Sequence, residues 1–412
     1  MLRLIQDITL RGSDIPSLEG MRQNGKKSFL TQGLPTPKNE NWKYTKIRDF
    51  NTENFVFSAY ENHTCSCKNK TLNFDAYEIK FCNGKLCQTH FHLPEEIEIM
   101  SLLDAIKNKE TIKYLNKTFD MDKFPFAALN TMYLEQGLFI RVSKNYRLDT
   151  PLALIYHINA DDKYFCNLHN IVITENNSHI DLIEYFFYTG EVKAQYFNNI
   201  VNEFFVGKNS SVKHYKIQNE AFKATHIALN CAHVKSYGKY ESYCLQKGAN
   251  LARNETIVRL QEEYADTCIN TVYTTNGWAT IDTTNNIEHL QPDTTSNQLV
   301  KGVVNGYAKG VFKGKIHIAP NAVKTQGYQL HKALILSDDA EIDVKPELEI
   351  FADDVKCSHG ATCGELDKEQ MFYLRSRGIS QENAKQILIR AFLDEPFETI
   401  DNQDIKSWLQ NF

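Results

Sequence analysis

Two changes of texture divide the chain when its apolar and polar positions are followed from the amino end. Between about residues 96 and 138 the pattern is helical. Leu102, Leu103, Ile106, Ile112 and Leu115 roughly keep a 3.6-residue period. FPFAALNTMYLEQGLFI then predicts a short helix ending near Gly137, a residue suited to a left-handed cap, with a strand directly after it. Between about 139 and 356 almost nothing reads as a long helix. Short alternating stretches are each followed by a turn of Asn, Asp, Gly, Lys or Ser. IVITENNSHIDLIEY, FFVGKNSSVKHYKI, IHIAPNAVKTQ and LILSDDAEIDVK are examples. Three late copies start at Ile316, Leu334 and Leu348, spaced by 18 and 14 residues.

Repetition of this kind predicts a stacked architecture. One coil of short strands cannot bury its own apolar face, whereas stacking on the next coil does so and pairs the backbone. A β-sandwich would also show short, regularly spaced strands, but it needs tight hairpins, and this region lacks two-residue hairpin signals. The 36 asparagines fit a solenoid that turns often. The predicted class is an all-β core formed by a parallel β-helix, with helical regions at both ends.

The ends read differently. Pro35 and Pro37 favour extended chain, and Trp42, Tyr44 and Ile47 are large apolar groups placed to pin an arm onto a body. Asn83-Gly84 predicts a hairpin. After about residue 364 the pattern is helical again. Leu366, Met371, Phe372 and Leu374 fall on a helix that stops at Gly378. Ser380 is placed to cap the next one, on which Ala384, Ile387, Leu388, Ala391 and Phe392 form an apolar face. Pro396 ends that helix, and Ile405, Trp408, Leu409 and Phe412 share one side of a last segment. Three regions follow: 1–138, an arm, hairpin and helices; 139–363, the β-helix; and 364–412, a helical tail.

Composition narrows the function. With 46 basic and 51 acidic residues in 412, the net charge is -5, which argues against a dominant nucleic-acid surface. No stretch suits a membrane span or a secretory signal, so the ten cysteines are expected to be free thiols in a reducing cytoplasm. Cys65, Cys67, Cys82 and Cys87 have the wrong spacing for an ordinary zinc finger and are read as packing residues. The chain has no GxxxxGK[ST] motif, so it is not expected to hydrolyse ATP, and it shows no GxSxG elbow or HExxH helix. Asp338, Asp339, Asp353 and Asp354 could be set along a polysaccharide-cleaving groove, but paired acids at solvated turns are common for structural reasons.

The segment ADDVKCSHGATCGELDKEQMFYLRSRGI resembles the signature of the SufB/SufD family of iron–sulfur cluster assembly proteins, on the SufD side. GVFKGKIHIAPNAVKTQGYQLHKALILSDDAEIDVKPELEI, ENWKYT, KFCNGKL and ALNTMYLEQG resemble further landmarks, so the likeness spans nearly the whole chain. The resemblance implies a right-handed parallel β-helix in a non-enzymatic subunit of a SufBCD complex. That subunit pairs with a SufB-like paralogue through the β-helix and binds the ATPase SufC through its carboxy-terminal helices. The implied cargo is iron or a transient iron–sulfur cluster at the interface with SufB, and a reduced flavin is linked to the assembly. Self-association in isolation is implied too, which leaves a homodimeric iron or cluster carrier acting alone as the alternative. The resemblance puts a cluster-assembly role on His359 as iron ligand. An imidazole nitrogen suits Fe²⁺, while a histidine merely satisfied in a turn beside Gly360 is the competing reading. Cys357, two residues earlier, would share its face on a strand, as a soft ligand or a small buried group. Cys363 is read as an ordinary packed cysteine and His289 as structural. Arg375 and Arg377 are expected to contact carbonyls or acids.

Overall fold

A computed structural model of the protein describes residues 10–47, 56–57, 71–87, 93–107, 109–159, 164–190 and 195–412. Its body is a parallel β-solenoid with two strands per coil. The odd-numbered strands from β5 (Leu138–Val142) to β19 (Glu341–Ile350) stack in chain order as one sheet. The even-numbered strands from β6 (Leu152–Ile158) to β20 (Val355–Gly364) stack as the other. Ile316 stands in register with Leu348, so the spacings of 18 and 14 residues are the two halves of one coil.

Left-handed residues turn seven of the corners from the odd sheet to the even one. Asn145, Asn177, Asn209, Tyr237, Tyr264, Asp293 and Lys324 all have φ between 55° and 63° where the chain passes from an odd strand to an even one. Asparagine adopts this conformation most readily of these. The first three form a ladder, with the Asn177 Nδ2 donating to Asn145 Oδ1 (2.7 Å) and the Asn209 Nδ2 donating to Asn177 Oδ1 (2.9 Å).

One end of the stack is capped. The predicted hairpin forms from β2 (Tyr77–Cys82) and the two-residue β3 (Lys85–Leu86), with Asn83 and Gly84 at φ 50° and 80°. β2 extends the even sheet, and β4 (Ile97–Ser101) closes the odd sheet by pairing antiparallel with β5. A further short strand, β1 (Val56–Phe57), pairs with Tyr164 and Phe165. Gly137 is not a helix cap. The helix before it, α4 (Pro125–Met132), has already ended. A Cβ at Gly137 would lie 1.8 Å from the His169 carbonyl oxygen, so glycine is required by close approach of two backbones.

The amino-terminal helices lie on the outer face of the odd sheet. α1 (Pro16–Gln32), which apolar periodicity did not reveal, packs on α4; α2 (Leu102–Lys107) and α3 (Lys109–Ile112) replace the single helix expected there. Two buried ionic anchors fix this layer. Glu203 accepts from the backbone N–H groups of Asn116, Lys117 and Thr118 and from His169 Nε2. Arg253, fully buried, pairs with Asp282 and Glu255 and lies 4.3 Å from the Trp42 ring, so Trp42 pins the arm as expected.

The tail crosses the outer face of the even sheet. Phe397, Ile400, Ile405 and Leu409 are buried there, with α7 (Gln403–Gln410) carrying the last two. Each contributes about 1.5–3 kcal/mol, against about 0–1 kcal/mol for an exposed pair such as Lys213–Asp401, so burial holds α7 down. α5 (Lys368–Ser376) and α6 (Gln381–Asp394) pack mainly on each other, with α6 also touching the β body. Ser380 caps α6 by accepting from the Asn383 N–H.

Candidate functional site

The stack's other end is open. β19 and β20 are each paired on one side only, and nearly every residue of both is half-buried or exposed. β20 carries Cys357, His359 and Cys363. His359 therefore lies on a strand, not in a turn, and the reading of a turn histidine is corrected.

Alternation places these three side chains on the lumen-facing side of β20. Cys357 is in register with Gly327, His359 with Gln329 and Cys363 with Ala333. Cys357 packs at the edge of the cluster of Ile316, Ile318, Ala322 and Ala352. A Cβ at Gly327 would meet the Ile316 side chain at 3.2 Å and the Cys357 sulfur at 3.4 Å. Burial pushes this thiol above its ordinary pKa, with a backbone hydrogen bond from Gly327 opposing. An approaching cation would have to displace its proton. His359 is exposed, beside the buried Gln329, whose Nε2 donates to the Gly314 carbonyl at 3.4 Å. Cys363 is exposed rather than packed.

Cys357 and His359 thus share a face, but they do not complete a metal site. No group of three or more His, Cys, Asp or Glu placed to hold a metal occurs among the described residues. Cys65 and Cys67 lie outside the described residues; Cys82 is buried at the end of β2 and Cys87 follows β3. His289 is structural. Its Nδ1 and Nε2 bond Thr294 and Ser296, each at 2.8 Å, and burial, then His317, pushes its pKa down to about 3. Arg377, the residue directly after α5, stacks on Tyr373 of that helix at 4.6 Å.

A second feature lies on the tail. α5 and α6 form an apolar groove of about 840 Å³ lined by Phe372, Tyr373, Leu374, Ile387 and Leu388. Phe372 is 74% exposed and Ile387 45%. The apolar face of α6 read from its periodicity is therefore largely uncovered within this chain; only Ala384 is fully buried. Among the described residues no helix is long and apolar enough to cross a membrane.

Comparison with known proteins shows the family. Residues 156–392 match the family model described as SUF system FeS cluster assembly, SufBD core domain, and residues 6–154 match the SufBD protein N-terminal region. An iron–sulfur cluster assembly SufBD family protein of Synechocystis is 30% identical, over 96% of this chain and 90% of its own. The iron–sulfur cluster assembly protein SufD of Escherichia coli is 29% identical, over 92% and 88%. Its counterpart in Bacillus subtilis is 26% identical, over 92% and 89%. The chain belongs to the SufBD family of iron–sulfur cluster assembly proteins.

Proposed function

We propose that this chain is a non-enzymatic subunit of a SufBCD-type complex, working in the cytoplasm. Its open end coil pairs with a SufB-like paralogue, and its α5–α6 groove holds the ATPase SufC. The observation that carries this reading is the uncapped β20 edge, which presents an exposed His359 beside Cys357. An exposed ten-residue edge strand without an internal charge block after Lys356 is a ready pairing surface. Two donors cannot enclose iron, so the remaining ligands come from the partner across that edge. His359 supplies a neutral imidazole nitrogen to iron or to the nascent cluster, which is the cargo. Cys357 is the weaker contributor, since its thiol is half-buried and holds its proton.

The ATPase reading rests on the uncovered apolar groove. ATP hydrolysis belongs to the partner. Its conformational change would pass through α6 to the β body, which α6 touches at Lys301. The test is anaerobic co-purification of the three subunits with iron and sulfide counted per complex. His359→Ala should assemble normally with reduced cluster content; normal content would exclude the ligand role. A homodimeric carrier would instead retain iron reproducibly when purified alone.

A further inference from the structure

The solenoid interior is polar along one line. On the odd sheet, Asn170, Asn202 and Asn230 form a ladder, with Nδ2 donating to the next Oδ1 at 2.9 and 2.8 Å; Asn230 then donates to Asn254 at 3.3 Å. Facing them on the even sheet, Glu184 accepts from Asn202 and from His214, and Lys216 Nζ donates to Asn254 at 3.0 Å. Register carries the line onward. Thr256 is opposite Asn285 and Asn285 opposite Gly314, while Gln298 is opposite Gln329 and Gln329 opposite His359.

Several buried polar atoms on this line and in the neighbouring rows of the even sheet have no hydrogen-bond partner among the described residues. They are both amide atoms of Gln218, Gln246 Oε1, Asn285 Nδ2, Gln298 Oε1 and His331 Nδ1. None of these residues is more than 2% exposed. Leaving such a group dry costs about 1–3 kcal/mol. Flipping an amide does not remove the debt. Gln298 has a single amide neighbour, Gln329, at a long 3.5 Å, so turning it strands the other atom. The missing partners are small, since the line is closed to side chains, and polar, since each stranded group is a donor or an acceptor. The far end is sealed by the stacked rings of Phe81, Tyr156 and Phe186, with centroids 5.0 and 4.3 Å apart. The near end is β20, where His359 and Ala361 are exposed above the buried Gln329 and His331.

We infer that the solenoid encloses a blind file of internal water that opens at the His359 end and reaches back to the Glu184–His214–Lys216 cluster. Globular proteins hold about one buried water per 27 residues, bonded to groups stranded in this way. The file gives three buried titratable groups a route for proton exchange that passes His359. This inference does not depend on any ligand role of His359.

Two measurements on the full chain test it. A high-resolution crystal structure should show ordered water within hydrogen-bond distance of Gln298 Oε1, Asn285 Nδ2 and the Gln218 amide. Water-oxygen magnetic relaxation dispersion in solution should detect long-lived internal water. Direct side-chain pairing with no water density, or no long-lived water in solution, would overturn the inference. Two variants add independent readouts. Gln298→Leu should lower the melting temperature by about 2–4 °C, because water loses a partner; a rise would mean that the site is dry. Ala361→Phe, opposite His331 at the mouth, should lengthen the residence time of the internal water, and an unchanged residence time would overturn the open-end assignment.

Discussion

Lys301 lies under Phe392 twice over: its ammonium stands 4.4 Å from the ring centroid and donates to the Phe392 carbonyl oxygen at 2.7 Å. The same ammonium pairs with Glu395, and its side chain is almost fully buried. One lysine of the β body thereby satisfies an end-of-helix carbonyl of α6 and fixes where the groove-bearing helices stand. Lys301→Met should cost about 1.5–3 kcal/mol, the range for hydrogen bonds to charged groups. Hydrogen exchange should locate the effect. Amides of α6 exchange faster in the variant, while the central strands keep their protection.

The exposed groove predicts a separation of binding from stability. Ile387→Asp and Phe372→Ala each alter an exposed side chain, so unfolding should change by no more than about 0.5 kcal/mol. If the groove is the ATPase site, loss of a central apolar anchor there should weaken binding by about 2 kcal/mol or more, near thirtyfold. Titration calorimetry with the purified ATPase checks this; unchanged affinity in both variants would exclude the groove.

Glu203 links the amino-terminal helices to pH. Burial alone would raise its pKa, but His169 and Thr118 outweigh that and hold the carboxyl below its usual value of 4.5. A depressed pKa in the folded state contributes stability above the unfolded value and loses it as pH falls through the folded value. The anchor should therefore weaken below about pH 4.5. Glu203→Gln should be less stable at pH 7 by about 1.5–3 kcal/mol, because hydrogen bonds to a charged carboxylate are weakened, and its acid limb should be flatter. Denaturant titrations at several pH values read both effects.

The asparagine ladder predicts a contrast between two substitutions at one site. Asn177→Gly keeps the left-handed backbone and loses both ladder hydrogen bonds. Asn177→Val forces a branched residue to φ 59°. The valine variant should be the less stable by about 1–2 kcal/mol, measured by urea unfolding.

Most of the architecture was legible in the sequence because strand alternation and turn residues repeat. The spacing of Ile316, Leu334 and Leu348 already contained the coil, although each of the three stands near the end of its strand rather than at its start. The hairpin at Asn83-Gly84 and the cap at Ser380 were legible because their chemistry is local. α1 was not. Its buried face includes Arg22, Gly25 and Ser28, residues that carry no apolar period and are buried only through tertiary partners such as the Leu134 carbonyl. The asparagines were read as turn residues, yet Asn170, Asn202 and Asn230 stand inside the stack. Their role depends on register between coils, which one sequence does not display. His359 was found by its surrounding motif, but its place on an edge strand became visible only once β20 was paired with β18 (Thr325–Ile335).

The two ends of the stack differ in kind, and that sets the valence of the molecule. A solenoid is a unit of a lattice in one dimension: if both terminal coils were alike and bare, copies would add end to end without limit. Here the antiparallel β4 and the two-residue β3 terminate growth at one end, whereas β19 and β20 leave it unfinished at the other. Through its sheet ends the chain can accept one neighbour and then no more. If the proposed partner pairs with the open end, assembly through the sheet ends stops at two solenoids, and geometry rather than weak affinity disfavours a fibre.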